Sequence, residues 1–323
     1  MSRKTGDAIC TWKYLGQFKK LGVCASMVPI WDLQDEKEED LSGKIVIFAA
    51  TNFFSAPFTN SNFQECNLNL REISSFPFPR RQEIPYVMVA YESPYNAKLE
   101  TYKDFFNWTM SYRIDSDVFA PYGGLLRNSE LVKVNYTEIW KSKTKGTLWL
   151  VSNNIVNNKR KKLVEKLIEN GMKVDLYGKV YNREPDNCPR DGAQEGCDER
   201  FQSPYKFVIA FENSNCKDYV TEKFWRKAEQ YKMVPMMSRK IYKDLGIPDN
   251  MYIAVDDFKT LKEFVEFIKN LTSNEKEYMK YHKWREEFRI AEANQEIFGF
   301  CDLCQKLMDF QNRTIPKKSY SSF

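Results

Sequence analysis

From Lys44 onward the chain alternates short apolar runs with longer amphipathic stretches. Runs at 44–50 (KIVIFAA) and 86–91 (YVMVAY) read as strands on either side of a Pro- and Phe-rich region at 76–85. TLWLV at 147–151 is a short apolar run, the form of a parallel strand buried on both faces. Residues 158–170 set Leu163, Val164, Leu167 and Ile168 on one helical face, and Gly171 ends that pattern. KVDLYG (173–178) and KFVIAF (206–211) are further strands, with a Pro-, Gly- and Cys-rich loop at 183–204 between them. A helix near 219–231 leads into VPMM (234–237) and then YIAV (252–255). Leu261, Phe264, Val265 and Ile268 repeat at helical spacing within 259–270, and a final helix is expected over 275–297. Such β-α-β-α alternation predicts an α/β fold. Helices would cover both faces of a parallel sheet, and ligand would bind at the carboxyl ends of the strands.

At 323 residues the chain is long enough for about two domains. The basic, apolar-free segment KSKTKG (141–146) is the best boundary, and the acidic stretch DLQDEKEEDLS (32–42) reads as a solvated linker. The division expected is 1–43, 44–145, 146–300 and a tail at 301–323 containing a cysteine pair. No run approaches the roughly 18 apolar residues of a membrane helix, and the first thirty residues do not read as a signal peptide. At 42% hydrophobic and 29% charged, the composition excludes a disordered or collagen-like chain. A net charge of +5 is too small to argue for nucleic acid but suits a small polyanion. The single histidine, His282, nearly excludes a histidine base or a multi-histidine metal site, which leaves such work to carboxylates. Four Asn-x-Ser/Thr sites, at Asn107, Asn135, Asn270 and Asn312, give weak support for a secretory protein.

The densest chemistry lies in FVIAFENSNCKDYVTEKFWRKA (207–228). A buried strand ends at Phe211, polar residues turn the chain from Glu212 to Asp218, and a helix begins with Asp218 as its expected N-cap. The helix N-terminus suits an anion, Lys223 adds a full positive charge, Tyr219 offers a ring and a hydroxyl, and Glu222 suits sugar hydroxyls. The bland alternative is a crossover helix with solvated first-turn charges. Asp115-Ser116-Asp117 has the spacing of a metal-chelating carboxylate pair. Cys301-x-x-Cys304 is open to reading as a redox pair, half a zinc site or two disulfide halves, while Cys188 and Cys197 flank a loop they could close.

FENSNCKDYVTEK resembles the donor-binding signature of the α1,3/4-fucosyltransferases, inverting enzymes that use GDP-fucose. YESPYN (91–96), FFNWTMSYRIDSDVFAPYG (105–123) and WLVSNNIVNNKRKKLVEKL (149–167) resemble further blocks of that family in the same order. The resemblance implies the GT-B architecture, two Rossmann-like domains facing across a cleft, with 44–145 on the acceptor side and 146–300 binding GDP-fucose. It makes Arg160 and Lys223 the cations on the GDP diphosphate. Asn213, Tyr219 and Glu222 become nucleotide-sugar and fucose contacts, and Ser152 and Asn153 line the nucleotide pocket. Glu92 becomes the general base that takes the proton of a GlcNAc hydroxyl on a glycan acceptor. The Asp115–Asp117 motif falls in a block of a metal-independent architecture, so no obligatory metal is expected and a divalent cation would at most stimulate. Structural disulfides are implied from Cys301 or Cys304 to Cys66, Cys216 is expected to stay a thiol, and a Golgi-lumen location as a type II membrane protein is implied although no anchor is seen.

The sequence departs from the family pattern in its acceptor half. The stretch from Cys66 to YESPYN is short, Asn96 stands where a histidine is expected, Ile114 replaces an arginine, and VPMMSR (234–239) lacks a glycine. Two alternatives follow: a pseudoenzyme that binds GDP-fucose or glycan without transfer, and a transferase using another nucleotide sugar.

Overall fold

The computed structural model describes residues 46–49, 86–94, 106–153, 159–185, 196–238, 245–292, 299, 302–303 and 306. The chain divides into two compact units, Met1–Pro121 with Ala293–Phe323, and Tyr122–Glu292.

The first unit contains a parallel sheet of β1 (Val46–Ala49), β2 (Tyr86–Ala90), β3 (Trp108–Ser111) and β4 (Val118–Phe119), in that spatial order. Every residue of β2 and β3 is buried; β2 has no polar face, whereas β3 sets Thr109 and Ser111 on one face, where they bond Asp117 and Ser116. Asn107 is buried just ahead of β3, and its Oδ1 accepts from the Tyr86 N–H at 2.8 Å. That bond and that burial remove Asn107 from the glycan acceptors suggested by its sequon.

The second unit contains β5 (Gly123–Arg127), α1 (Tyr136–Ser142), β6 (Lys145–Leu150), α2 (Arg160–Glu169), β7 (Val174–Tyr177), α3 (Cys197–Gln202), β8 (Tyr205–Ile209), α4 (Glu222–Glu229), β9 (Val234–Met237), β10 (Ile253–Ala254), α5 (Leu261–Ser273), α6 (Glu275–Met279) and β11 (Phe288–Glu292). Five strands form an all-parallel sheet in the order β10-β9-β8-β6-β7. Side chains alternate across it: Trp149, Val151, Phe207 and Ile209 join the core with Val164, Leu167, Phe264 and Ile268. Leu148 and Val208 join a second cluster with Tyr205 and Tyr231, and α4 packs Phe224 and Trp225 into a third with Ile290. Both sheet faces are therefore covered, as the alternation of elements predicts.

Two expectations are corrected. The helix expected over 275–297 ends early: α6 passes into a 3-10 helix at Lys280–Glu286, and the chain then forms β11 antiparallel to β5. Phe288 and Ile290 reach the core from alternate positions, a strand periodicity too short to show beside a long charged run. The boundary expected at 145/146 falls inside the second unit, because β5 pairs with β11 and α1 buries Ile139 in the core. The KSKTKG segment itself packs into this unit. Lys143 is buried and its Nζ donates to the carbonyls of Ser203 and Tyr231, while the Arg285 guanidinium donates to Ala228 O. These carbonyls lie at or just past the C-terminal ends of α3 and α4, where helices leave acceptors unpaired and carry partial negative charge. Burial first, and then Arg285, Lys232 and Lys206, push the Lys143 ammonium down to about 7.

Gly123 is fixed by contact, since a Cβ there would stand 2.5 Å from the Trp225 ring. Among the described residues no helix is long and apolar enough to cross a membrane.

Candidate functional site

In the five-stranded sheet β6 leads outward to β7 on one side, while β8, β9 and β10 extend on the other. The connections thus diverge from between β6 and β8, and a parallel sheet opens its ligand crevice at the carboxyl ends of such a pair. Val151, Ser152 and Asn153 follow β6 there, and Ala210 to Ser214 follow β8. Gly178 helps shape this edge with φ +100°. A Cβ on it would lie 2.3 Å from Val151 O, so only glycine lets the chain leaving β7 pass so close to the end of β6.

Arg160 begins α2 and is buried. Its guanidinium donates to Phe211 O at 2.9 Å and to Asn153 O at 3.1 Å, tying together the loops that leave β8 and β6. Burial lowers its pKa, while Glu212 and Tyr219 counter that shift and favour the cation. Of the basic run 159–162, this is the member turned inward; Lys159 and Lys162 are exposed.

The helix after β8 starts later than expected. Asp218 is buried at φ 60° rather than capping, and Thr221 is the N-cap of α4, its side chain accepting from Lys223 N. A threonine just before an acidic first turn is the signal that marks this cap in the sequence. Lys223 remains in the first turn. Its Nζ lies 2.9 Å from Thr221 Oγ1, 3.1 Å from Glu222 Oε1 and 3.3 Å from Glu212 Oε2. Burial alone would lower this ammonium's pKa, but the carboxylates of Glu212 and Glu222 outweigh it and hold the pKa above the ordinary lysine range.

Glu212, which sequence reasoning passed over, is only 3% exposed. One carboxylate oxygen accepts from Thr221 N at 2.8 Å and the other from Thr221 Oγ1 at 3.1 Å. Burial raises its pKa, against the pull of Lys223 and of the two Thr221 bonds. Asn213 is half-buried, and its Oδ1 is buried without a hydrogen-bond partner among the described residues, an acceptor that would welcome a ligand hydroxyl or N–H. Tyr219 is buried with its ring edge-on to Tyr122 at 6.1 Å, Glu222 is exposed, Ser152 is half-buried and Asn153 is exposed. The sequence-selected residues of the second unit therefore gather at one sheet edge, with Arg160 bonded to Phe211 O and Lys223 paired with the adjacent Glu212.

In the first unit Glu92 follows β2 at the carboxyl edge of its parallel sheet, half-buried and next to the fully buried Ser93. Asp117 accepts from Thr109 N at 2.9 Å and Thr109 Oγ1 at 3.1 Å, whereas Asp115 pairs with Arg113 at the surface. The two carboxylates thus serve different partners. Among the described residues no group of three or more His, Cys, Asp or Glu is placed to hold a metal ion. His282 is fully buried, and its pKa is pushed well below the usual range by burial and by Arg285, Lys143 and Lys232, so it stays neutral. Cys197 is in a disulfide and Cys216 is a half-buried thiol. Cys66, Cys188, Cys301 and Cys304 lie outside the described residues, so their expected pairings do too.

Residues 140–322 match the family described as glycosyltransferase family 10 (fucosyltransferase), C-terminal part, and residues 8–123 match the fucosyltransferase N-terminal domain. The chain is similar to the alpha-(1,3)-fucosyltransferase fut-5 of Caenorhabditis elegans, 53% identical over 308 residues covering 86% of this chain and 82% of that protein. It is also similar to fut-6 of the same organism, 34% identical over 368 residues covering 98% and 94%. A crystal structure of an α1,3-fucosyltransferase with GDP-fucose aligns with a TM-score of 0.47 at 17% identity, over 73% of this chain and 78% of that one. With both family regions matched in order, and the donor-signature residues gathered at one sheet edge, the chain belongs to glycosyltransferase family 10, the fucosyltransferases.

Proposed function

We propose that the chain moves L-fucose from GDP-β-L-fucose to a GlcNAc hydroxyl of a glycoprotein or glycolipid glycan, in α1,3 linkage and with inversion. It is an α1,3-fucosyltransferase. The observation that carries the reading is that Arg160, bonded to Phe211 O, and Lys223, paired with the adjacent Glu212, both lie at the carboxyl edge of the parallel sheet. Departure of GDP builds charge on the diphosphate, and fixed cations favour that state over the bound substrate. Arg160 adds a planar donor array and Lys223 a compact charge. Asn213 and Glu222 take hydroxyls of the nucleotide sugar, with Ser152, Asn153 and Tyr219 bordering them.

Glu92 is the general base, removing the acceptor hydroxyl's proton as that oxygen attacks the fucose anomeric carbon opposite the departing GDP. No protein-bound metal is required in this scheme. The GT-B arrangement belongs to the same proposal, supported by the parallel α/β sheet in each unit. A Golgi-lumen location is proposed as well, and the disulfide at Cys197 suits an oxidising compartment.

The test is a glycan array incubated with the full chain and GDP-fucose, with products analysed for linkage and anomeric configuration. α1,3-Fucosylated GlcNAc bears the reading out. GDP binding with no transfer to any acceptor would replace it with a binding protein, and transfer from a different nucleotide sugar would replace the donor.

A further inference from the structure

We infer that Glu212 is a positioning residue of the donor site, acting through Thr221 and Lys223; the inference rests on the proposal that Lys223 meets the donor diphosphate. The starting point is a cost. A glutamate only 3% exposed, directly after a core strand, is an expensive residue unless each oxygen is committed. Here both are. One oxygen accepts the Thr221 N–H at 2.8 Å; the other accepts the Thr221 hydroxyl at 3.1 Å and lies 3.3 Å from Lys223 Nζ. The same hydroxyl accepts from Lys223 Nζ at 2.9 Å. Glu212, Thr221 and Lys223 thus close a ring of contacts between the end of β8 and the first turn of α4.

Two consequences pull in opposite directions. A carboxylate near a diphosphate repels it, so charge alone makes Glu212 unfavourable for donor binding. Against this, a lysine ammonium on a four-carbon stem has many rotamers, and an anion that recruits it must order it. Lys223 is held before any anion arrives, by three oxygens in fixed places, with its side chain still 34% exposed. Glu212's charge is compensated where it lies, by Lys223 and two Thr221 donors. Positioning therefore outweighs repulsion, and the carboxylate aids the binding of an anion of its own sign. The two effects predict opposite signs for the same substitution.

The experiment is a double-variant cycle read by GDP affinity in calorimetry, with kcat/KM for GDP-fucose as a second readout. Glu212→Gln keeps the shape of the side chain and an acceptor for Thr221 N but loses the charge that holds Lys223. It is expected to weaken GDP binding about tenfold, within the coupling range of contacting residues. In a Lys223→Met background the same substitution is expected to leave GDP affinity unchanged or to improve it, because the group it positions is gone and only the repulsion remains. A merely structural role would cost the same in both backgrounds. Thr221→Val, which deletes the hydroxyl and retains the backbone N–H bond, provides a second route if Glu212→Gln does not fold. Its loss of GDP affinity should also vanish with Lys223→Met. Tighter GDP binding by Glu212→Gln, unchanged binding by a folded variant, or equal losses in both backgrounds would overturn the inference. If the unsubstituted chain bound no GDP at all, the donor-site reading itself would fall, a result distinct from all three.

Discussion

Replacing Arg160 with methionine separates this residue from its neighbours in the basic run. The guanidinium makes two charge-assisted bonds to backbone carbonyls, Phe211 O at 2.9 Å and Asn153 O at 3.1 Å, from a buried position. Hydrogen bonds to charged groups contribute ~1.5–3 kcal/mol each, and relief of the guanidinium's desolvation offsets part of the loss. A net cost of about 3 kcal/mol for Arg160→Met is reasonable on that basis. In a unit the length of Tyr122–Glu292, 1 kcal/mol corresponds to ~2–4 °C, so Tm should fall by about 6–12 °C. GDP affinity should fall as well, since the clamped loops border the proposed nucleotide pocket. Lys162→Met removes an exposed charge two residues away and should shift Tm by no more than a degree or two. Differential scanning calorimetry of both variants, paired with GDP titration, is the assay. An Arg160→Met protein that melts within about 2 °C of the parent would show that the two carbonyl bonds do not hold the loops, and the reasoning would fail.

Glu92→Ala should leave GDP affinity nearly unchanged, because Glu92 belongs to the first unit and the proposed diphosphate cations, Arg160 and Lys223, to the second, while transfer falls by roughly 10²–10⁴-fold. Lys223→Ala should instead weaken GDP binding and slow transfer together; near-parental turnover by Glu92→Ala would assign the base to another carboxylate. For Lys143, the folded value of about 7 lies below the ordinary 10.5, so the unfolded chain binds the extra proton between those pH values. Stability should therefore rise with pH across that window, by up to ~1.4 kcal/mol per unit, and stay flat in this respect below pH 7. Melting curves at pH 7, 8.5 and 10 should show that rise in the parent and a smaller one in Lys143→Met, where Lys227, pushed down to about 8 chiefly by burial, still contributes. Gly178→Ala should cost more than ~1 kcal/mol, since φ +100° and a contact of 2.3 Å to Val151 O both oppose a side chain. A variant as stable as the parent by urea titration would refute that.

The local pattern of the sequence determined much of this protein. Alternating apolar runs and amphipathic stretches mark β2, β6, β7, β8, β9, α2 and α5, because strand and helix periodicity are properties of neighbouring residues. The donor-signature string likewise states which side-chain types gather after β8. What the sequence could not state is which distant segments meet. The order β10-β9-β8-β6-β7 sets β8, not β7, beside β6 on the side where Asn153 and Phe211 become joint acceptors for Arg160. No short window records that pairing. The same holds for β11 on β5, and for Lys143, whose burial depends on the ends of α3 and α4 arriving at one place. Glu212 shows the divide within one residue. Its polarity next to a core strand was plain, but its role depended on Thr221 and Lys223 folding back across the loop. Periodicity is encoded locally, whereas partners are chosen by long-range packing, and only the tertiary structure contains that choice.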